Sequence, residues 1–180
     1  MRKTQIMEKR EWVFVVAAAV IILLLLAAVV KHYTYTEDDA WEELLALDMS
    51  VSMEDLKAKG FIDVSDVMDT PNNKIEDFLK NARNRENCAL KIANVIDGRL
   101  CAKILVYNKQ QDVIKMWTMY TKKQQADTPG KCFSTDLLIE KGNVTKVLLK
   151  NVPDVSEPIS VEEQEPYLSD EILYSYRAEP

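Results

Sequence analysis

The stretch Cys88-Ala-Leu-Lys-Ile-Ala-Asn-Val-Ile96, Asp97-Gly98, Arg99-Leu-Cys-Ala-Lys-Ile-Leu-Val-Tyr107 decides the fold. Two runs of aliphatic and β-branched residues flank Asp-Gly, a strong hairpin signal because both turn residues tolerate a positive φ. Two registers compete. A two-residue loop aligns Ile92 with Lys103, which mixes core and solvent residues. A three-residue loop, Asp97 to Arg99, aligns Leu90 with Val106 and Ile92 with Ile104. The three-residue loop is the expected one, since a slip of one residue turns a whole strand inside out.

Outward from the hairpin, Asn108-Lys-Gln-Gln-Asp112 turns the chain into a third strand, Val113 to Thr121. A break at Thr128-Pro-Gly130 precedes a strand from Lys131 to Glu140, and Lys141-Gly-Asn143 precedes another from Val144 to Leu149. On the other side, Ile75, Phe78, Leu79 and Ala82 recur at i, i+3, i+4 and i+7, one face of a helix. Thr70-Pro71 and Asn72-Asn73 start that helix, and Asn84 to Asn87 end it. Phe61 to Val67 alternates roughly with period two, as a further strand does. The expected class is α+β: an antiparallel meander of four to five strands packed against one amphipathic helix, over residues 60–150.

Residues 31–59 read as a helical segment in two short pieces. Thr36-Glu-Asp-Asp39 makes a capping box with Asp in the place of the usual Glu, and Trp41, Leu44 and Leu45 continue at helical spacing. Ser52 caps a second piece, Met53 to Lys59, which Gly60 stops.

Trp12 to Val30 is a run of nineteen residues without a charge. At the helical rise it spans about 28 Å, close to a bilayer's hydrocarbon core, so a transmembrane helix is expected at 12–30. Arg2, Lys3, Lys9 and Arg10 precede the run and Glu37, Asp38 and Asp39 soon follow it. That bias puts the N-terminus (residues 1–11) in the cytoplasm and the C-terminal domain outside the cell. A cleaved signal peptide fits less well, because the run is long and ends Ala28-Val-Val-Lys31, with bulky residues where a peptidase needs small ones.

The net charge of −6 is unevenly placed. Residues 31–150 are almost neutral, whereas 151–180 hold eight acidic side chains against Arg177 alone. This balance repels phosphate, so no nucleic-acid partner is expected. The acidic stretch has four of the six prolines and no glycine, and it reads as an extended or disordered tail. Tyr167, Tyr174 and Tyr176 give it aromatic contacts for a partner, or for the domain's own sheet.

The order helix, strand, helix and meander resembles an uncharacterised family of small extracytoplasmic domains found in Gram-positive lipoproteins and membrane-anchored proteins. The resemblance covers residues 60–150 and is carried by the helix at 74–82, the Asp97-Gly98 turn, Tyr107 in the second strand and Cys132. Thr121-Lys-Lys-Gln124 stands where that family carries a charged Asp/Arg signature. The resemblance implies an envelope location and brings no activity with it.

Three cysteines lie in the domain. The preferred register puts Cys101 some six residues along the ladder from Cys88, about 20 Å at strand rise, too far for a disulfide. Two outcomes stay open: a bridge, with Cys101–Cys132 favoured over Cys88–Cys132, or three small buried thiols. The sole histidine, His32, lies far from any nucleophile, and the four glycines sit at turns or helix ends. No catalytic, cofactor-binding or metal motif emerges, and no cofactor is expected. Asp63, Asp66 and Asp69, Glu54-Asp55 and Glu76-Asp77 read as solvated surface more readily than as a cation loop. Trp117 and Tyr120, with Met116 and Met119, load the third strand with large side chains on both faces. They make either the centre of a covered sheet or a partner surface.

The functional expectation is a non-catalytic module at the bacterial cell envelope, single-pass and membrane-anchored, that binds a protein or ligand. Its alternatives are a carboxylate-dependent envelope hydrolase and a structural bitopic protein recognised through its span.

Overall fold

A computed structural model describes residues 12, 14–16, 20–23, 25, 35–48, 50–120, 125–154 and 169–177, with the backbone alone at 125–130. The chain forms two compact units, Met1–Thr34 and Tyr35–Pro180. In the first, the described residues between 12 and 25 are helical and their side chains are exposed. The expected transmembrane helix at 12–30 is not found: among the described residues no helix is long and apolar enough to cross a membrane. Much of 12–30 lies outside those residues.

The second unit opens with α1 (Glu37–Leu45) and α2 (Met53–Ala58), each begun by a reciprocal capping box, Thr36 with Asp39 and Ser52 with Asp55. Gly60, at φ +90, ends the second helix by adopting the left-handed conformation that glycine tolerates best. Next come β1 (Ile62–Asp63) and α3 (Asn73–Arg83), then β2 (Ala89–Ile96), β3 (Arg99–Asn108), β4 (Val113–Tyr120), β5 (Gln125–Glu140), β6 (Val144–Asn151) and β7 (Glu171–Arg177). They make one seven-stranded sheet in chain order. β1 runs parallel to β2, and every other pair is antiparallel.

The expectation of four to five antiparallel strands is therefore corrected to a seven-stranded mixed sheet. The largest addition is β7, inside the stretch expected to be a tail. Its Leu173 and Tyr174 are buried, and a register shift against β6 hides its alternation from a period-two reading. The expected break at Thr128-Pro-Gly130 is also corrected, since β5 runs through it. Lys131 pairs with Met116 and Asp127 with Thr118, so three residues of β5 face one of β4 across an irregularity. Residues 128–130 have no partner in the β4 register, and an irregular position of this kind accepts a proline.

The hairpin forms where expected, in the other register. Ile92 pairs with Lys103 and Leu90 with Leu105, across a two-residue loop. Asp97 (φ +50) and Gly98 (φ +70) both occupy the left-handed region, the turn whose twist matches that of the flanking strands.

The sheet curls until its two outer edges approach one another. The segment between β1 and α3 runs along both: Val64 N–H donates to Ala93 on β2, and Met68 pairs in parallel with Tyr176 on β7. The inner face grips α3, whose Ile75, Phe78, Leu79 and Ala82 meet Leu90, Leu105, Met116, Phe133, Leu149 and Tyr174. The outer face over β2–β4 is covered by α1 and α2, with Leu44 and Leu56 against Ala102, Ile104 and Trp117. The helices at 31–59 thus belong to the same unit as the sheet.

Candidate functional site

The residues expected to form a partner surface are scattered. Trp117 is 8% exposed and lies in the core that α1 and α2 cover. Tyr174 is buried on the inner face, where its hydroxyl donates to Glu76 of α3. Tyr176 stacks on Tyr174, ring centroids 5.6 Å apart, and is half-buried. Tyr120 is half-buried at the end of β4, and Tyr167 lies outside the described residues. None of the four described tyrosine and tryptophan side chains forms an open aromatic patch, because each stands in a sheet position already facing a core or its rim.

All three cysteines are thiols. By strand alternation Cys101 shares the inner face with Lys103 and Leu105, whereas Cys132 lies on the outer face beside Lys115. A sheet therefore separates the pair that the sequence favours as a disulfide. Burial, reinforced by Asp154, pushes the Cys132 thiol up to about 12. Burial and then Glu86 push Cys88 to about 12 as well, so both are protonated and poor nucleophiles at neutral pH.

The acidic groups do not converge. Asp63 pairs with Lys57 at 2.8 Å, Asp55 serves its capping box, and Glu76 accepts from Tyr174. Among the described residues no three His, Cys, Asp or Glu side chains are grouped to hold a metal ion. Two lysines are buried with carboxylates beside them. Lys103 meets Glu171 in the interior of the curl, and Lys115 lies between Glu37 (3.4 Å) and Asp154 (3.5 Å) under the start of α1. Burial works to lower the Lys115 ammonium, but the two carboxylates outweigh it and hold it above its usual value.

A different surface stands open. α1 and α2 cover the outer face over β2–β4, and on β5–β7 that face carries Leu138, Leu148 and Ile172. Leu138 pairs with Leu148 and Leu148 with Ile172, so the three side chains form one row across three strands. Leu138 is 43% exposed and Ile172 49%. Exposed Lys146, ion-paired to Glu140 at 3.5 Å, flanks the row on one side and exposed Lys150 on the other. An apolar row with a charged rim is the composition of a protein-contact surface. Each member is an ordinary strand residue in the sequence, and only the pairing of β5, β6 and β7 aligns them.

The chain matches no protein-family model, no curated protein and no solved structure.

Proposed function

We propose that this chain is a non-catalytic binding module of the bacterial cell envelope, and that it docks another envelope protein on the outer face of β5–β7. The row Leu138–Leu148–Ile172 carries this reading, because it is apolar and contiguous, with Leu138 and Ile172 exposed on either side of half-buried Leu148, on a face whose other half is covered. The apolar run at 12–30 supports attachment to the membrane. Its described helical residues are exposed at positions that fall on all sides of a helix, which suits apolar surroundings supplied from outside the chain. The basic residues before the run and acidic ones after it favour a cytoplasmic N-terminus and an external folded unit.

The test is crosslinking of the full chain in its native membrane, with a photoreactive residue at position 172 and mass spectrometry of what is captured. One reproducible envelope protein is expected. It should be lost in the L138S/L148S variant carrying the same photoreactive residue, while the unfolding midpoint stays within about 0.5 kcal/mol equivalent, as for surface substitutions. Capture unchanged by that variant, or no protein captured, overturns the proposal.

A further inference from the structure

The curled sheet ends at β1, which lies along β2, and at β7, and one short segment, residues 61–69, reaches both sides. Its two attachments are unequal. At β2 the segment is held by Ile62 opposite Ile92, Asp63 opposite Ala93, and the Val64 N–H bond to Ala93 at 2.8 Å. Phe61 is buried beneath α1 and α2, and Lys57 of α2 pairs with Asp63, which fixes this end to the helical cover as well. At β7 the described attachment is Met68 alone. Its N–H donates to Ser175 at 2.8 Å, and its carbonyl accepts from Arg177 N–H at 2.9 Å. Beside it the Asp69–Arg177 pair, 3.5 Å apart, is open to solvent on both partners and adds little.

Between the two attachments Ser65, Asp66 and Val67 are exposed. The inward side chains of the same segment, Ile62, Val64 and Met68, pack against the core around α3. The segment therefore runs up one edge and down the other, and it seals the side of the curl where no strand joins β2 to β7.

We infer that residues 64–69 form a hinged strap, fixed at β2 and released at Met68, and that this latch is where the interior around α3 opens. Opening breaks two backbone hydrogen bonds and one solvated ion pair while β1, α2 and the six-stranded antiparallel ladder stay intact. Because both bonds run through Met68, they break together. The device suits a binding module, since release uncovers apolar surface and the outer edge of β7 in one step.

Native-state hydrogen exchange of the full chain in detergent micelles tests this. The amides of Met68, bonded to Ser175, and of Arg177, bonded to Met68, should exchange together. Their rates should be roughly a hundredfold or more above those of Val64 and Leu105, and independent of low denaturant, as local openings are. In D69A the Met68 rate should rise a few-fold further with Val64 unchanged. Exchange of Met68 at the rate and denaturant dependence of Leu105 overturns the inference, because the strap then opens only by global unfolding. Val64 opening along with Met68 overturns it too, since no hinge then exists, and so does fast Met68 with slow Arg177.

Discussion

Lys103 Nζ on β3 meets Glu171 Oε1 on β7 at 2.5 Å, although three strands lie between them in the sheet. The contact crosses the interior of the curl, and Lys103 is 3% exposed. It explains how the hairpin tolerates a lysine opposite Ile92. The positive φ of Asp97 and Gly98 sets a two-residue loop, that loop turns Lys103 inward, and a carboxylate from the far end of the chain neutralises it.

Removing the carboxylate charge should therefore cost more than removing the pair. E171Q leaves a buried ammonium with Lys131 also near that carboxylate, and it should destabilise the unit by about 3–5 kcal/mol. K103M/E171L should recover most of that loss, because a well-packed apolar replacement avoids the desolvation cost. Urea denaturation of the three proteins checks both values. A double variant no more stable than E171Q would show that the pair does not act as a unit.

The turn offers a backbone test. A Cβ at Gly98 meets nothing within 4 Å, yet its φ of +70 is strained for any L side chain. G98A should cost about 1–2 kcal/mol through conformation alone. Gly142 lies outside the left-handed region, and a Cβ there makes an ordinary 3.7 Å contact with the Val144 carbonyl oxygen. G142A should be neutral or stabilise by up to about 1 kcal/mol, by restricting the unfolded chain. Equal effects at the two glycines would contradict the two-residue loop.

Alkaline pH should unfold the domain. Burial first, then a hydrogen-bonded carboxylate, raises the phenols of Tyr35 (Glu43), Tyr107 (Asp112) and Tyr174 (Glu76), with Tyr107 at about 12. The Cys88 and Cys132 thiols are raised in the same direction. Each group holds its proton more tightly folded than unfolded. Its contribution is thus complete below the unfolded value and is lost as pH rises past it toward the folded one. Stability should be flat through neutrality and fall from about pH 8.5–10 upward, the unfolded range for thiols and phenols. Phenolate absorbance of these three tyrosines should appear with unfolding, and an unfolding midpoint unchanged across that range would contradict the assignment.

Thiol counting tests the arrangement of the cysteines. Cys101 and Cys132 are buried on opposite faces, and half-buried Cys88 contacts the Phe78 carbonyl at 3.6 Å through its Sγ. The native protein should react slowly with a thiol reagent, Cys88 first, and the denatured, unreduced chain should show three thiols. A count of one would establish a disulfide.

The sequence by itself determined the parts that local interactions decide. The apolar spacing of Ile75, Phe78, Leu79 and Ala82 defined α3 and its buried face, and Thr36, Ser52 and Gly60 marked helix ends that form as read. Asp97-Gly98 fixed the position of the hairpin. Tertiary structure decided what depends on residues far apart in the chain. Glu171 made an inward Lys103 acceptable and so permitted the register that composition disfavours. β7 became a strand because the open edge of β6 and the inner core gave Leu173 and Tyr174 a place to bury. The candidate surface arose the same way: Leu138, Leu148 and Ile172 are unremarkable singly and meet only when three strands pair. Capping and helical periodicity act over three or four residues and can be read along a chain, whereas register, curl and exposed rows depend on which distant groups neutralise or cover one another.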